Sequence, residues 1–310
     1  MRYLVTGALG FIGTYLVDFL LARGETVYAL DQRTEGFSPR LGFHLIQCDL
    51  LDRGSVLKSV AEIKPDFVFH LAAQSLPQVS WQDPETTFRV NVFGTLYLLD
   101  AIRAAQIKPI IEVFCSSGEY AVSQHNTPIG ENYPLEPSSP YALSKIGQDQ
   151  LCVLYGKAYQ MHIVRVRPFF IIGTHKTGDV CSDFARGIVA IERGLAKTLT
   201  VGNLDAVRDF LDVRDALTAF WLVAERGIPG TVYNICSGQG FAVSDILGRA
   251  SALSRTPFDV HQDSSRLRPL DEPVKIGDNS KLRALGWRPS ITIDKSLADI
   301  LAYWRKQEPI

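Results

Sequence analysis

The sequence has no surplus of either charge: 32 Lys and Arg stand against 33 Asp and Glu, a net charge of −1. A chain so balanced, with no run of like charge, offers no basic field to a phosphate backbone, so nucleic-acid binding is not expected. Cysteine is sparse in a telling way. Cys48, Cys115, Cys152, Cys181 and Cys236 are odd in number and widely spread, and they include no C-x-x-C pair and no His clustering. That pattern argues against a disulfide framework and a zinc site, and it predicts reduced thiols in the cytoplasm and no metal. The opening stretch, residues 1–24, is apolar, but Gly7, Gly10 and Gly13 interrupt it and Asp18 falls inside its helical part. It reads as strand, turn and helix, not as a signal peptide or a membrane span. Internal repeats, low-complexity tracts and long linkers are absent as well.

What is present is apolar sequence in short pieces. With 46% hydrophobic residues over 310 positions, the chain can fill one large α/β core and a smaller appended unit. Apolar runs at 3–5, 26–30, 67–69, 110–114 and 163–166 read as buried strands. Between them, 14–22, 85–105 and 141–159 carry helix periodicity, with Gly24 placed to end the first helix. The alternation predicts an α/β fold: a doubly wound parallel sheet of Rossmann type with helices on both faces. Beyond about residue 168 the elements shorten and Gly and Pro increase, as at Pro229-Gly230 and Gly238-Gln239-Gly240.

Gly7, Gly10 and Gly13 lie between the first strand and the first helix in a G-x-x-G-x-x-G spacing that includes Phe11 and Ile12. Glycines there let the backbone approach a pyrophosphate while the helix N-terminus faces its charge. Asp31 closes the second strand, where a carboxylate can accept hydrogen bonds from the adenosine ribose. This favours NAD, while Arg33 nearby leaves NADP possible. Asp49 and Leu50 follow the third strand, and Leu71 and Ala73 follow the fourth, at carboxyl ends where ligands of parallel sheets bind. Residues 1–168 are thus expected to be mainly dinucleotide-binding. Residues 169–310 are expected to be a smaller substrate-binding region interleaved with them.

Tyr141 and Lys145 stand four apart at the start of a helix opened by Pro140, which puts phenol and ammonium on one face. An adjacent positive charge favours phenolate and is expected to draw the phenol down from ~10 toward a useful acid or base. Ser116 and Ser117 end the 110–115 strand on the glycine loop's side of the sheet, and Glu119 follows.

These residues resemble the extended short-chain dehydrogenase/reductase family, also called NAD-dependent epimerase/dehydratase, over essentially the whole chain. The resemblance implies a triad of Ser117, Tyr141 and Lys145, with Glu119 as a further candidate and Tyr141 and Lys145 also touching the cofactor. Within that family, the string from Val201 through Asn203 and Arg208 to Phe210, with Arg266-Leu267-Arg268-Pro269, is similar to the nucleotide-binding segments of enzymes acting on GDP-mannose derivatives. It implies substrate contacts at Ser75, Ser117, Val201, Asn203, Arg208, Arg268 and Asp271, the two arginines facing the GDP part. Phe170 lies where the family carries an Asn that holds the sugar nucleotide, so sugar contacts are expected to differ there. Ser117-Gly118-Glu119-Tyr120-Ala121 departs from relatives ending in Y-G.

Three functions follow as expectations. The first is reduction of a GDP-4-keto-6-deoxyhexose to GDP-rhamnose by NAD(P)H. The second is a redox-neutral dehydration or epimerisation with retained NAD, and the third a non-catalytic dinucleotide-binding module. The short loop after Asp31 favours the reductase over the longer dehydratases. Helices 85–105 and 141–159 are apolar on more than one face, and the family's equivalent pair builds a homodimer.

Overall fold

The computed structural model describes residues 1–34, 40–123, 127–264 and 272–308. Its strands are β1 (Arg2–Thr6), β2 (Thr26–Asp31), β3 (Phe43–Gln47), β4 (Phe67–His70), β5 (Ile110–Phe114), β6 (Ile163–Pro168), β7 (Phe170–Ile172), β8 (Thr198–Val201), β9 (Val207–Arg208), β10 (Phe210–Asp212), β11 (Val232–Ile235), β12 (Phe241–Ala242), β13 (Asp259–Gln262) and β14 (Val274–Lys275). Its helices are α1 (Phe11–Leu21), α2 (Arg53–Ile63), α3 (Pro77–Gln82), α4 (Pro84–Phe88), α5 (Gly94–Ala104), α6 (Pro140–Tyr159), α7 (Val180–Glu192), α8 (Val213–Arg226), α9 (Val243–Ala252), α10 (Ser280–Ala284) and α11 (Ile293–Lys306).

Seven strands form one parallel sheet in the order β11-β6-β5-β4-β1-β2-β3. Alternate residues of each strand serve opposite faces. Val5, Phe69, Phe114 and Val166 pack with Leu16, Val17 and Leu20 of α1 and Phe220 and Val223 of α8. Leu4, Val68, Ile111 and Val113 pack with Val56 and Val60 of α2 and Leu98, Leu99 and Ile102 of α5. Both faces being covered is why these strands read as apolar runs with no polar alternation. Each fully buried aliphatic side chain contributes roughly 1.5–3 kcal/mol. A further core lies beyond residue 168, where α7, α9 and α11 meet through Ile188, Ile246, Leu297 and Ile300 around Leu199 of β8.

The doubly wound parallel sheet is as expected, with two differences. The seventh strand, β11, comes from the region expected to hold only shorter elements, and it pairs with β6 at Val232–Arg165 through Ile235–Pro168. The helix expected over 85–105 is α4 and α5 joined by a wider π turn, Arg89–Phe93. A single-residue widening leaves the apolar periodicity almost unchanged, so the pattern could not reveal it.

The strand order reverses between β1 and β4. Chains leaving these two strands depart in opposite directions and open a crevice at the carboxyl ends.

Candidate active site

A cleft of about 1870 Å³ extends from this crevice into the region beyond residue 168. Single small-molecule sites run to about 300–1,000 Å³, so there is room for two large ligands. The glycine loop forms one end. Gly7 adopts φ +66°, and a Cβ on it would sit 2.7 Å from the Ala72 backbone; one on Gly13 would sit 2.3 Å from the Gly7 carbonyl oxygen. Only bare backbone fits, and it leaves the first turn of α1 facing the cleft. Gly10, Phe11, Ile12, Asp49, Leu50, Leu71 and Ala73 line the same end. At its edge Asp31 accepts hydrogen bonds from the backbone N–H of Leu9 (3.0 Å) and Arg33 (3.1 Å). The Arg33 guanidinium lies 3.6 Å from the same carboxylate, with its side chain largely exposed. This cradle fits a dinucleotide: Gly7, Gly10 and Gly13 would face its pyrophosphate, and Asp31 or Arg33 its adenosine ribose.

Midway along the cleft, α6 begins. Ser139 caps it by accepting from Ala142 N–H, and Pro140 presets its first turn. One turn apart, Tyr141 and Lys145 line the cleft, the ammonium 6.0 Å from the phenol ring centroid. On the same wall stand Ser116, whose hydroxyl draws the Tyr141 pKa down, and Ser117, the serine to which the sequence pointed. Ser117 opens a short 3-10 turn, Ser117–Glu119, for which Ser116, in extended conformation, is the cap. Gly118 leaves the space: a Cβ there would lie 3.2 Å from Ser116 Oγ and 3.9 Å from Tyr141 Cε1.

The electrostatics correct one expectation. Burial pushes the Tyr141 phenol up to about 12, against the lowering effect of the Ser116 hydrogen bond. Lys145 does not offset this, because its ammonium is turned to other partners: it donates to the Phe114 carbonyl (2.8 Å) and to Gln148 Oε1 (2.8 Å). Burial moves the Lys145 pKa down.

The Gln148 bond opens a polar chain that no local sequence pattern reveals. Gln148 Nε2 donates to Thr95 Oγ1 (2.7 Å), and Thr95 spends its own proton on the Asn91 carbonyl (2.7 Å). His70 Nε2, 2.8 Å from the Thr95 oxygen, must then be the protonated nitrogen, leaving Nδ1 to accept from Thr6 Oγ1 at 2.8 Å. Burial lowers the His70 pKa to about 3, with Lys145 acting in the same direction. A neutral histidine thus ties β1, next to the glycine loop, to the lysine of α6.

Glu119 is not among the residues lining the cleft. It is fully buried, accepting from Ser116 N–H (2.8 Å) and from Arg167 Nε (2.9 Å). Arg167 also donates to Asp149 (2.8 Å), which is paired in turn with Arg165.

Toward the region beyond residue 168 the cleft is lined by Phe170, Val201, Asn203 and Arg208, and Ser75 lines it as well. Phe170 packs on Phe210, and the Arg208 guanidinium lies 5.4 Å over its ring. Asp209 of the same string points away and is structural, accepting from Ser237, Gly238 and Gly277 N–H. Arg268 and Asp271 lie outside the described residues. Lys275 and Glu272, which the sequence reading missed, also line this part.

Known proteins share this architecture. A Pseudomonas aeruginosa GDP-6-deoxy-D-mannose reductase is 33% identical over 311 residues, 99% of this chain and 98% of that one. A Vibrio cholerae GDP-mannose 4,6-dehydratase is 30% identical over 348 residues, covering 97% and 92%. Among solved structures, RMD from Pseudomonas aeruginosa complexed with NADPH has a TM-score of 0.84 at 32% identity, each chain covered to 98%. A Thermus thermophilus UDP-glucose 4-epimerase complex with NAD has a TM-score of 0.88 at 29% identity, each covered to 99%. Residues 4–300 match the family model described as GDP-mannose 4,6 dehydratase, and with nearly its whole length accounted for, this chain belongs to that family of enzymes.

Proposed function

We propose that this enzyme reduces the keto group of a GDP-4-keto-6-deoxyhexose with NAD(P)H, giving GDP-rhamnose. The observation that carries the reading is the withdrawal of Glu119 from the cleft into its ion pair with Arg167. A dehydratase must move a proton at a carbon beside the transient ketone and needs a carboxylate facing the sugar; here the carboxylate of this loop is already committed. Length agrees. Aligning this chain of 310 residues with the reductase takes 311 positions and with the dehydratase 348, so the dehydratase carries inserted segments.

The bound nicotinamide would supply the hydride. A Tyr141 phenol held protonated by burial is in the form that gives a proton to the oxygen of the reduced carbonyl. Ser116 holds that oxygen by hydrogen bonding, while Lys145, anchored through Gln148, reaches the nicotinamide ribose. Arg208 meets the diphosphate, and residues beyond 168 carry most of the sugar-nucleotide contacts. Asp31 favours NAD, while Arg33 and the NADPH complex of the Pseudomonas aeruginosa protein support NADP. The five free cysteines are all buried, in keeping with a cytoplasmic enzyme.

The redox-neutral reading retains one support, since the Asp31 carboxylate suits a retained and recycled NAD. The discriminating experiment releases any tightly held dinucleotide from denatured protein for mass spectrometry. The native enzyme is then given GDP-mannose alone, or its 4-keto-6-deoxy derivative with NADH or NADPH. Conversion of the keto sugar with equimolar loss of reduced cofactor is expected; co-purified NAD with water loss or isomerisation and no added cofactor would overturn the reductase.

A further inference from the structure

Lys275 is 1% exposed and yet contributes to the wall of the cleft. A buried ammonium is costly unless it is paired and hydrogen-bonded, and this one is held from two sides. Its Nζ donates to the carbonyl of Ser117 at 3.0 Å and to Glu272 Oε1 at 2.6 Å. The first bond places the ammonium against the turn whose capping residue, Ser116, lines the cleft together with Tyr141. Strand pairing places Lys275 beside Arg208, register partners in β14 and β9. An ammonium has three N–H donors, and among the described residues these two bonds use two of them.

We propose that Lys275 is a specificity-determining residue of the cleft, its remaining N–H donating to an oxygen of the bound hexose between the diphosphate at Arg208 and the reacting carbon at Ser116 and Tyr141. Ser117 and Glu272 fix the direction of that donor, so it selects a sugar with a hydroxyl or keto oxygen at one position. Phe170, beside Arg208, offers the sugar nucleotide no polar side-chain contact; Lys275 supplies one from β14. This rests on the sugar-nucleotide reading above.

The test compares GDP with GDP-mannose by titration calorimetry on native protein and on Lys275→Met, with NADPH affinity and the thermal midpoint measured alongside. The variant should bind GDP-mannose at least about tenfold more weakly, the loss of one charge-assisted hydrogen bond, with GDP and NADPH within about twofold. Equal weakening toward GDP and GDP-mannose would move the contact to the diphosphate and overturn the assignment. So would unchanged binding with a lowered midpoint, the signature of a brace between β14 and the Ser117 turn. If Lys275→Met does not fold, Lys275→Gln can still donate to the Ser117 carbonyl and carries the same comparison. Native protein that binds neither ligand would overturn the sugar-nucleotide reading itself, and this assignment with it.

Discussion

At Ser116 and Ser117 the chain leaves β5, and we propose that the first of the two hydroxyls serves the phenol. Ser116→Ala should lower kcat by about 10²–10⁴-fold, the usual span for a positioned proton-transfer partner, with NADPH affinity nearly unchanged. Ser117→Ala should leave kcat within a few-fold, because its backbone carbonyl, not its hydroxyl, makes the bond to Lys275. Steady-state kinetics of the two variants checks this, and the opposite ranking would restore Ser117. Gly7, Gly10, Gly13, Tyr141 and Lys145 could be read from the sequence because each signal is local: a loop between strand and helix, or two side chains one helical turn apart. The choice between two serines was not, since it depends on the short turn that opens at Ser117. Lys275, Gln148 and Thr95 were beyond reach because tertiary folding alone brings Lys275 to the cleft and stacks Gln148 and Thr95 behind Lys145. The Tyr141 shift was misjudged for the same reason: four-residue spacing gave proximity to Lys145 but not where its ammonium turns.

Among the elements, α6 carries two duties. Its N-terminal turn presents Tyr141 and Lys145, while further along one stripe of it is left outward. Leu143 and Leu154, 11 residues and close to three turns apart, are 47% and 63% exposed, and Phe93 of the π turn is 47% exposed. We propose that this stripe is the seam of a homodimer, in which four helices would bury it. Leu154→Glu should shift sedimentation from dimer to monomer at micromolar concentration, while a native protein that sediments only as monomer would sink the proposal. The helix pair was legible because its apolar periodicity runs over five turns. The π turn within it was not, although it is what turns Asn91 to accept from Gln74 N–H (2.8 Å) and to donate to Ser144 (2.8 Å).

For the molecule as a whole, stability has a pH term seated in the middle of the sheet. Glu112 of β5 is 1% exposed, and neither carboxylate oxygen has a partner among the described residues. Burial raises its pKa well above the ordinary value. With the folded pKa above the unfolded one (~4.3), its contribution is fully present below the unfolded value and lost as pH rises through the folded value. Glu112→Gln should therefore flatten the decline of the thermal midpoint with rising pH. Glu112→Leu should add about 1–3 kcal/mol by removing an unpaired buried polar group. Melting curves of both variants against native protein across that window test this, and parallel slopes would refute it.

The parallel sheet followed from apolar runs separated by helical patterns, but its outermost strand did not, because four residues after a Pro-Gly turn look like loop. That strand sets where the polypeptide can be cut. Since β11 closes the edge at β6, a fragment ending at residue 168 would leave the β6 N–H and C=O groups bare beside apolar side chains normally covered by α8. Such an edge recruits strands from other copies. The nucleotide half is therefore not a transplantable module, and a chimera built by joining at 168 would be insoluble unless its new partner brought a strand of its own.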